Sequence, residues 1–267
     1  MGHNMTYAPI GAKQVSLVGG DEKWAFTMMV SVANDGTLLP FQAIYTGLSV
    51  ASCPSKLAAY YDKVMNVGML LEHSGTGTYW SNIVMIQSFV DNILLPYFVS
   101  KRNVLNLPPT QKALWQIDIW SVHWSKEFRR WMSQNHNDII VDFVPGGCTG
   151  LAQPCNVGMQ CPFKHSIKQS YHKSIVQYML VQIKNNEPDL AVDKQIKTIC
   201  NQSVTWLWNA YNAVNTMALV KKVHVMDLPC VSITDDPSRP ASLLRCVVYM
   251  GGTCPTRASP PLRPKRN

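Results

Sequence analysis

Two apolar stretches, residues 24–33 and 38–45, are rich in β-branched and aromatic side chains and are separated by Asn34-Asp35-Gly36. Asn and Gly tolerate the positive φ of a tight turn, so this stretch predicts an antiparallel hairpin. A shorter apolar run at 15–18, ended by Gly19-Gly20, is a further strand able to join it. Residues 48–80 hold no sustained period and carry Pro54 and a Ser/Gly/Thr cluster at 74–78, so they read as loop. From 82 to 98 the residues Ile83, Ile86, Phe89, Val90, Ile93, Leu94 and Tyr97 recur at threes and fours, which predicts a helix. Pro108-Pro109 stops it.

Residues 113–119 (ALWQIDI) then form a buried-strand run broken by one acid, Asp118. A helix is expected over 125–134 and a strand over 139–144, ended by Pro145-Gly146-Gly147. Residues 156–184 read as a long, partly basic helix, and 190–220 as one or two more. Strands that pair first and alternate with helices later predict a mixed α/β sheet with helices on its faces. After Lys222 prolines become frequent, and the end (RASPPLRPKRN) is basic. The chain divides on this pattern into a domain over 1–222 and a flexible, proline-rich tail over 223–267.

Composition narrows the class. Apolar residues make up 46% and charged residues 15% of the chain, which excludes a disordered polyelectrolyte and supports a packed core. The net charge of +8 has the sign of a polyanion-binding protein, although excess positive charge has other origins. No run reads as a membrane span and no signal-peptide pattern opens the sequence. The eight cysteines are therefore expected as thiols. Cys148, Cys155, Cys161 and His165 are spaced unlike the common zinc motifs, and plain thiols are the simpler reading.

Asp118 needs a reason, because an isolated buried carboxylate is costly to ionise. Two readings stand: a turn or cap residue before Ser121 and His123, or a strand-end acid of the kind nucleases present to Mg²⁺. The neighbouring motifs bear on the choice. The stretch ALWQIDIWSVHWSKEF (113–128) resembles the second acidic motif of the pogo- and jerky-like (Tigger-type) DDE transposases. VDFVPGGCTGLAQPCNVGMQCPFKHSIK (141–168) is similar to their third motif, and residues 5–47 resemble the strands that follow the first. The likeness runs in order from about residue 5 to about residue 210.

The resemblance implies a ribonuclease H-like mixed α/β sheet flanked by helices, in which three carboxylates hold Mg²⁺ or Mn²⁺ for phosphoryl displacement on DNA in the nucleus. Carried onto this chain, the second acid is Asp118, the residual metal ligand. The third position is Asn156, whose amide keeps an oxygen but loses the charge. The first acid belongs to an Asp-Gln-Thr motif on the first, central strand, upstream of the Met5-Thr6-Tyr7-Ala8 segment; the sequence given opens at Met1, after that point. Asp21 and Glu22 are better read as solvated turn residues. The expectation is thus a sheet without its first strand, with edges left unpaired or partly filled by the first ten residues, and a domain with little or no hold on metal.

DNA, met through its phosphate backbone, is the expected partner, and no membrane contact is expected. Lys164, His165, Lys168, His172 and Lys173 on the helix after Asn156 are the leading contact candidates, with Arg129 and Arg130 as a second cluster. The alternative for both is an ordinary solvated helix face. Trp115, Trp120, Trp124 and Trp131 offer stacking surfaces, with core packing the simpler role for most. A protein-contact domain and a metal nuclease with rearranged ligands stand as the other functional readings.

Overall fold

A computed structural model gives the fold and describes residues 26–144, 155–186, 193, 195–225 and 244–250. The run 15–18, Asp21, Glu22 and Cys148 lie outside the described residues. The expected hairpin is present as β1 (Phe26–Ala33) and β2 (Gln42–Tyr45), paired antiparallel from Phe26↔Tyr45 to Met29↔Gln42. Its turn closes through Ala33 N–H to Thr37 O at 2.8 Å and Gly36 N–H to Ala33 O at 3.0 Å. Gly36 takes φ +93°, a conformation that side chains resist, and the Asp35 carboxylate accepts from the Thr37 N–H at 2.9 Å. Of the second apolar run, Gln42–Tyr45 forms the strand and Leu38 makes an isolated bridge to Val32, the two interrupted at Pro40, which carries no N–H. All eight residues of β1 are buried, the pattern of a strand covered on both faces.

The stretch expected as loop holds a short helix, α1 (Tyr61–Asn66), and β3 (Leu70–His73), which adds parallel to β2. Next comes α2 (Ile83–Phe89), a π turn (Val90–Leu94) and α3 (Leu95–Val104). The Asn82 side chain caps α2 by accepting from the Met85 N–H at 3.2 Å. Pro96 stands in the first turn of α3, and its missing N–H accounts for the widened turn before it. Taken together, Ile83–Val104 is 22 residues long and apolar enough to cross a membrane by length and composition, contrary to the expectation from the sequence. Its Ile86, Phe89, Val90, Leu94 and Phe98 are fully buried against the sheet, so it is a core helix here.

The alternating half follows the expected order. β4 (Ala113–Asp118), α4 (Lys126–Asn135) and β5 (Ile139–Val144) form a parallel unit in register from Ala113↔Ile139 to Asp118↔Val144. The Ser125 hydroxyl caps α4, accepting from the Phe128 N–H at 3.1 Å. A π turn (Cys155–Met159) then leads into α5 (Gln160–Lys184), followed by α6 (Ile196–Val214), α7 (Met217–Val225) and β6 (Leu244–Met250).

The six strands lie in the order β3-β2-β1-β6-β4-β5. β6 runs antiparallel to β1 and parallel to β4, between the hairpin and the parallel pair. That is the central place of a ribonuclease H-like sheet, expected here to lie open, and it is taken by a strand from the segment expected to be a flexible tail. One face of the sheet packs Met28, Val30 and Val32 against Phe163 of α5 and Trp206 and Leu207 of α6. The other packs Met29, Trp115 and Ile117 against Phe89, Phe98 and Phe128 of α2, α3 and α4. The fold is thus a mixed α/β sheet flanked by helices.

Candidate acidic site and nucleic-acid interface

Side chains alternate across a strand. Ala113, Trp115 and Ile117 of β4 enter the core beside α2 and α4, which leaves Gln116 and Asp118 on the opposite face, the side of α5 and α6. Asp118 ends β4, and its carboxylate is 27% exposed. His123, on the turn that follows, is buried; its Nδ1 lies 2.8 Å from Asp118 Oδ1 and 3.1 Å from the Asp118 carbonyl oxygen. Two acceptors around one ring nitrogen place the proton on Nδ1, and Nε2 is then a buried acceptor with no hydrogen-bond partner. The ring is held edge-on to Trp120, with centroids 5.5 Å apart, and also packs against Phe128. Asp118 is therefore a carboxylate already engaged within the fold. His123 belongs to the site, and its polar turn was visible in the sequence while its grip on Asp118 was not.

The register places the other two positions relative to it. Val30 of β1 pairs with Tyr249 of β6. Continuing the β4–β6 register past Gln116↔Val247 sets Tyr249 opposite Asp118 as well. Asp118, residue 249 and Val30 thus form one row across the sheet, its ends roughly 10 Å apart. The Cys155 thiol lies 4.0 Å from the Val30 carbonyl oxygen, which pins the π turn carrying Asn156 over β1 at the end of that row. The same turn packs on β6. Topology therefore brings Asp118 and the turn carrying Asn156, the positions expected for the second and third acids, to one part of one face. The strand between them, Leu-Arg-Cys-Val-Val-Tyr-Met, has no Asp or Glu.

Asp142 of β5 is a second carboxylate on that face, missed in the sequence because it sits inside an apolar strand. It pairs in register with Gln116, whose amide donates to its Oδ2 at 3.1 Å. Among the described residues no three His, Cys, Asp or Glu side chains converge as a metal-binding group. Cys155 is buried and Cys161 exposed, and no metal-binding group among the described residues includes either, so the sequence cluster Cys148, Cys155, Cys161, His165 gains no support there.

The basic candidates fall in two layers. Phe163, Ile167 and Ser170 of α5 face the core, and Lys164, His165, Lys168, His172 and Lys173 are all exposed on the outer side of the same helix. Arg129 and Arg130 are exposed on α4, across the sheet from α5. The Arg129 guanidinium lies 4.5 Å from the centroid of the Trp124 ring, a cation–π contact. Of the four tryptophans, Trp115 is core, whereas Trp124 is 47% exposed.

The family model described as DDE superfamily endonuclease matches residues 25–233. The chain belongs to this family. No curated protein and no solved structure matches it. The matched span includes Asp118 and Asn156 and ends before β6, so the strand that completes the sheet lies beyond the matched residues. DDE endonucleases act on DNA with divalent metal, and the donors gathered in this row do not fit a pair of such ions. They amount to one carboxylate held by His123 and an amide position, joined by a strand without an acid.

Proposed function

We propose that this DDE superfamily endonuclease domain derives from a pogo- and jerky-like (Tigger-type) transposase, and that it binds DNA in the nucleus without cleaving it. The observation behind this reading is the row across the sheet: Asp118, then a strand with no Asp or Glu, then the turn holding Asn156. Two-metal displacement needs charged oxygen donors on both sides of the reacting phosphate. One carboxylate in that row supplies too little charge to hold two divalent cations, and Asp142 is taken up by the Gln116 amide. The DNA surface is the exposed side of α5, where Lys164, Lys168 and Lys173 meet phosphates and give affinity with little base discrimination. Arg129 and Arg130 stand on the other layer and are not needed for it.

Salt titration of DNA binding tests the reading. Three lysines on phosphates give a slope of about −2.7 in log K against log salt, so affinity falls roughly fortyfold between about 50 and about 200 mM salt. Lys164→Ala and Lys168→Ala should each flatten the slope by about 0.9. Binding that ignores salt, or slopes that both variants leave unchanged, sinks the proposal. An absence of DNA binding leaves a transposase relic. A second role, protein contact, is favoured by one feature, the edge of β5, which no strand pairs among the described residues.

A further inference from the structure

β5 is the last strand of the sheet, and among the described residues no strand pairs with its outer edge. Its outward backbone N–H and C=O groups are thus a template for another strand. Edge strands are commonly guarded by Lys, Pro or a bulge, and Ile-Ile-Val-Asp-Phe-Val has none of these. Its one charge, Asp142, is taken up by the Gln116 amide, and Ile140 is 46% exposed.

Beside this edge, between α4 and β5, runs a groove of about 380 Å³. Phe128, Met132, Ile139, Val141 and Phe143 supply apolar lining, and Arg129 stands in its wall. Phe128 and Ile139 are fully buried from the core side, and Phe143 is held edge-on by Trp124 with centroids 5.0 Å apart. Trp124 in turn carries the Arg129 guanidinium, so the cation is positioned over the groove by an aromatic face. No Asp or Glu lines the groove.

We propose that this edge binds an extended peptide by strand addition, with one apolar side chain in the groove and an acidic side chain two residues away on Arg129. Strand addition takes its affinity from main-chain hydrogen bonds and its specificity from pockets for alternate side chains. Residues two apart in a strand share a face, so the apolar and acidic groups both turn toward α4. A nucleic acid fits this surface poorly, because five of the nine residues lining the groove are apolar and Arg129 is its one Lys or Arg. A second copy fits poorly as well. Arg129 needs a carboxylate, and the one acid of a second β5 edge, Asp142, is committed to Gln116.

The full chain is titrated into a fluorescein-labelled, acetylated peptide in which threonines alternate with glutamate, phenylalanine and leucine. Anisotropy should report saturable binding. Binding should be lost when the amides facing β5 are methylated and weakened roughly tenfold or more when lysine replaces the glutamate. Arg129→Glu should weaken it by a similar factor, and Ser133→Trp, an exposed groove residue enlarged, should block it. Both changes lie on the surface of α4, and an unchanged far-ultraviolet circular dichroism spectrum and urea midpoint for both variants show that they fold. The inference is overturned if the peptide fails to bind, if methylation or charge reversal leaves affinity unchanged, or if Arg129→Glu and Ser133→Trp bind as tightly as the parent. It is also overturned if sedimentation shows a dimer that Ser133→Trp dissolves, which gives the groove to a second copy.

Discussion

Ending the chain at residue 243 removes β6 and leaves β1 and β4 facing each other across an empty place. β6 makes five register pairs with β1 and four with β4. At roughly 1 kcal/mol net per backbone hydrogen bond, with about one bond per pair, the loss approaches 9 kcal/mol. Domains of ordinary stability hold about 5–15 kcal/mol in all, so the shortened chain should be largely unfolded or aggregated through its exposed edges. A single change probes the same place more gently. Val247 is paired on both sides, with Val32 and with Gln116. Val247→Pro removes a ladder N–H and forces its ring into a central strand, at a cost of about 3 kcal/mol or more. Urea unfolding followed by tryptophan emission and far-ultraviolet circular dichroism reads both changes. A chain ending at residue 250 serves as the control, since it keeps the whole of β6. If the chain ending at 243 unfolds at the same urea concentration as that control, β6 does not complete the sheet and the argument fails.

Three further outcomes follow from local geometry. Ser125→Ala removes the hydroxyl that accepts from the Phe128 N–H and should cost about 1 kcal/mol in the same unfolding assay, with Ser125→Asp restoring most of it. Burial, with the nearby Cys53 thiol, pushes the Cys200 thiol up to about 11. The thiolate is the reactive form, so at about pH 8 iodoacetamide should modify exposed Cys161 well before Cys200 in peptide mass spectrometry. Equal rates at these two sites contradict the placement of α6. At Asp35, burial acts to raise the carboxyl, but hydrogen bonds from Lys101 and Thr37 outweigh it and hold the group below its usual value. A lowered folded value means stability present above the unfolded value and lost as pH falls through the folded one. Asp35→Asn should therefore destabilise by less than about 1 kcal/mol at neutral pH, the discount reflecting an exposed ion pair, and the difference should vanish in acid. A gap that persists in acid counts against the Lys101 contact.

Much of the framework was legible because the signals were local. The Asn34-Asp35-Gly36 turn, the three-and-four spacing after Asn82 and the helix expected from Ser125 each rest on signals within a few residues, and each appears where expected. β3 was missed because Leu70–His73 is short, half-buried and half polar, and becomes a strand only by adding to β2. β6 was missed for a stronger reason. Its seven residues are surrounded by prolines and marked as tail by composition, and only the unpaired edges of β1 and β4 give them a place. At the site, Asp118 was legible as an acid in an apolar strand, and Asn156 through its motif. The contact from His123 depends on how the turn after β4 folds back, which spacing does not encode. The lysines of α5 and the arginines of α4 were legible as two clusters, but only the packing shows that they lie on opposite sides of the sheet.

The central claim is that this DDE endonuclease domain holds DNA without cutting it. The direct measurement incubates the purified full chain with supercoiled plasmid in Mg²⁺ and separately in Mn²⁺, beside an Asp118→Ala variant. The account predicts no nicked or linear product above buffer in either metal, at protein concentrations where the plasmid is fully bound. Metal-dependent nicking by the parent chain that disappears in Asp118→Ala would contradict it, and would mean that Asp118 finds other ligands to complete a working site.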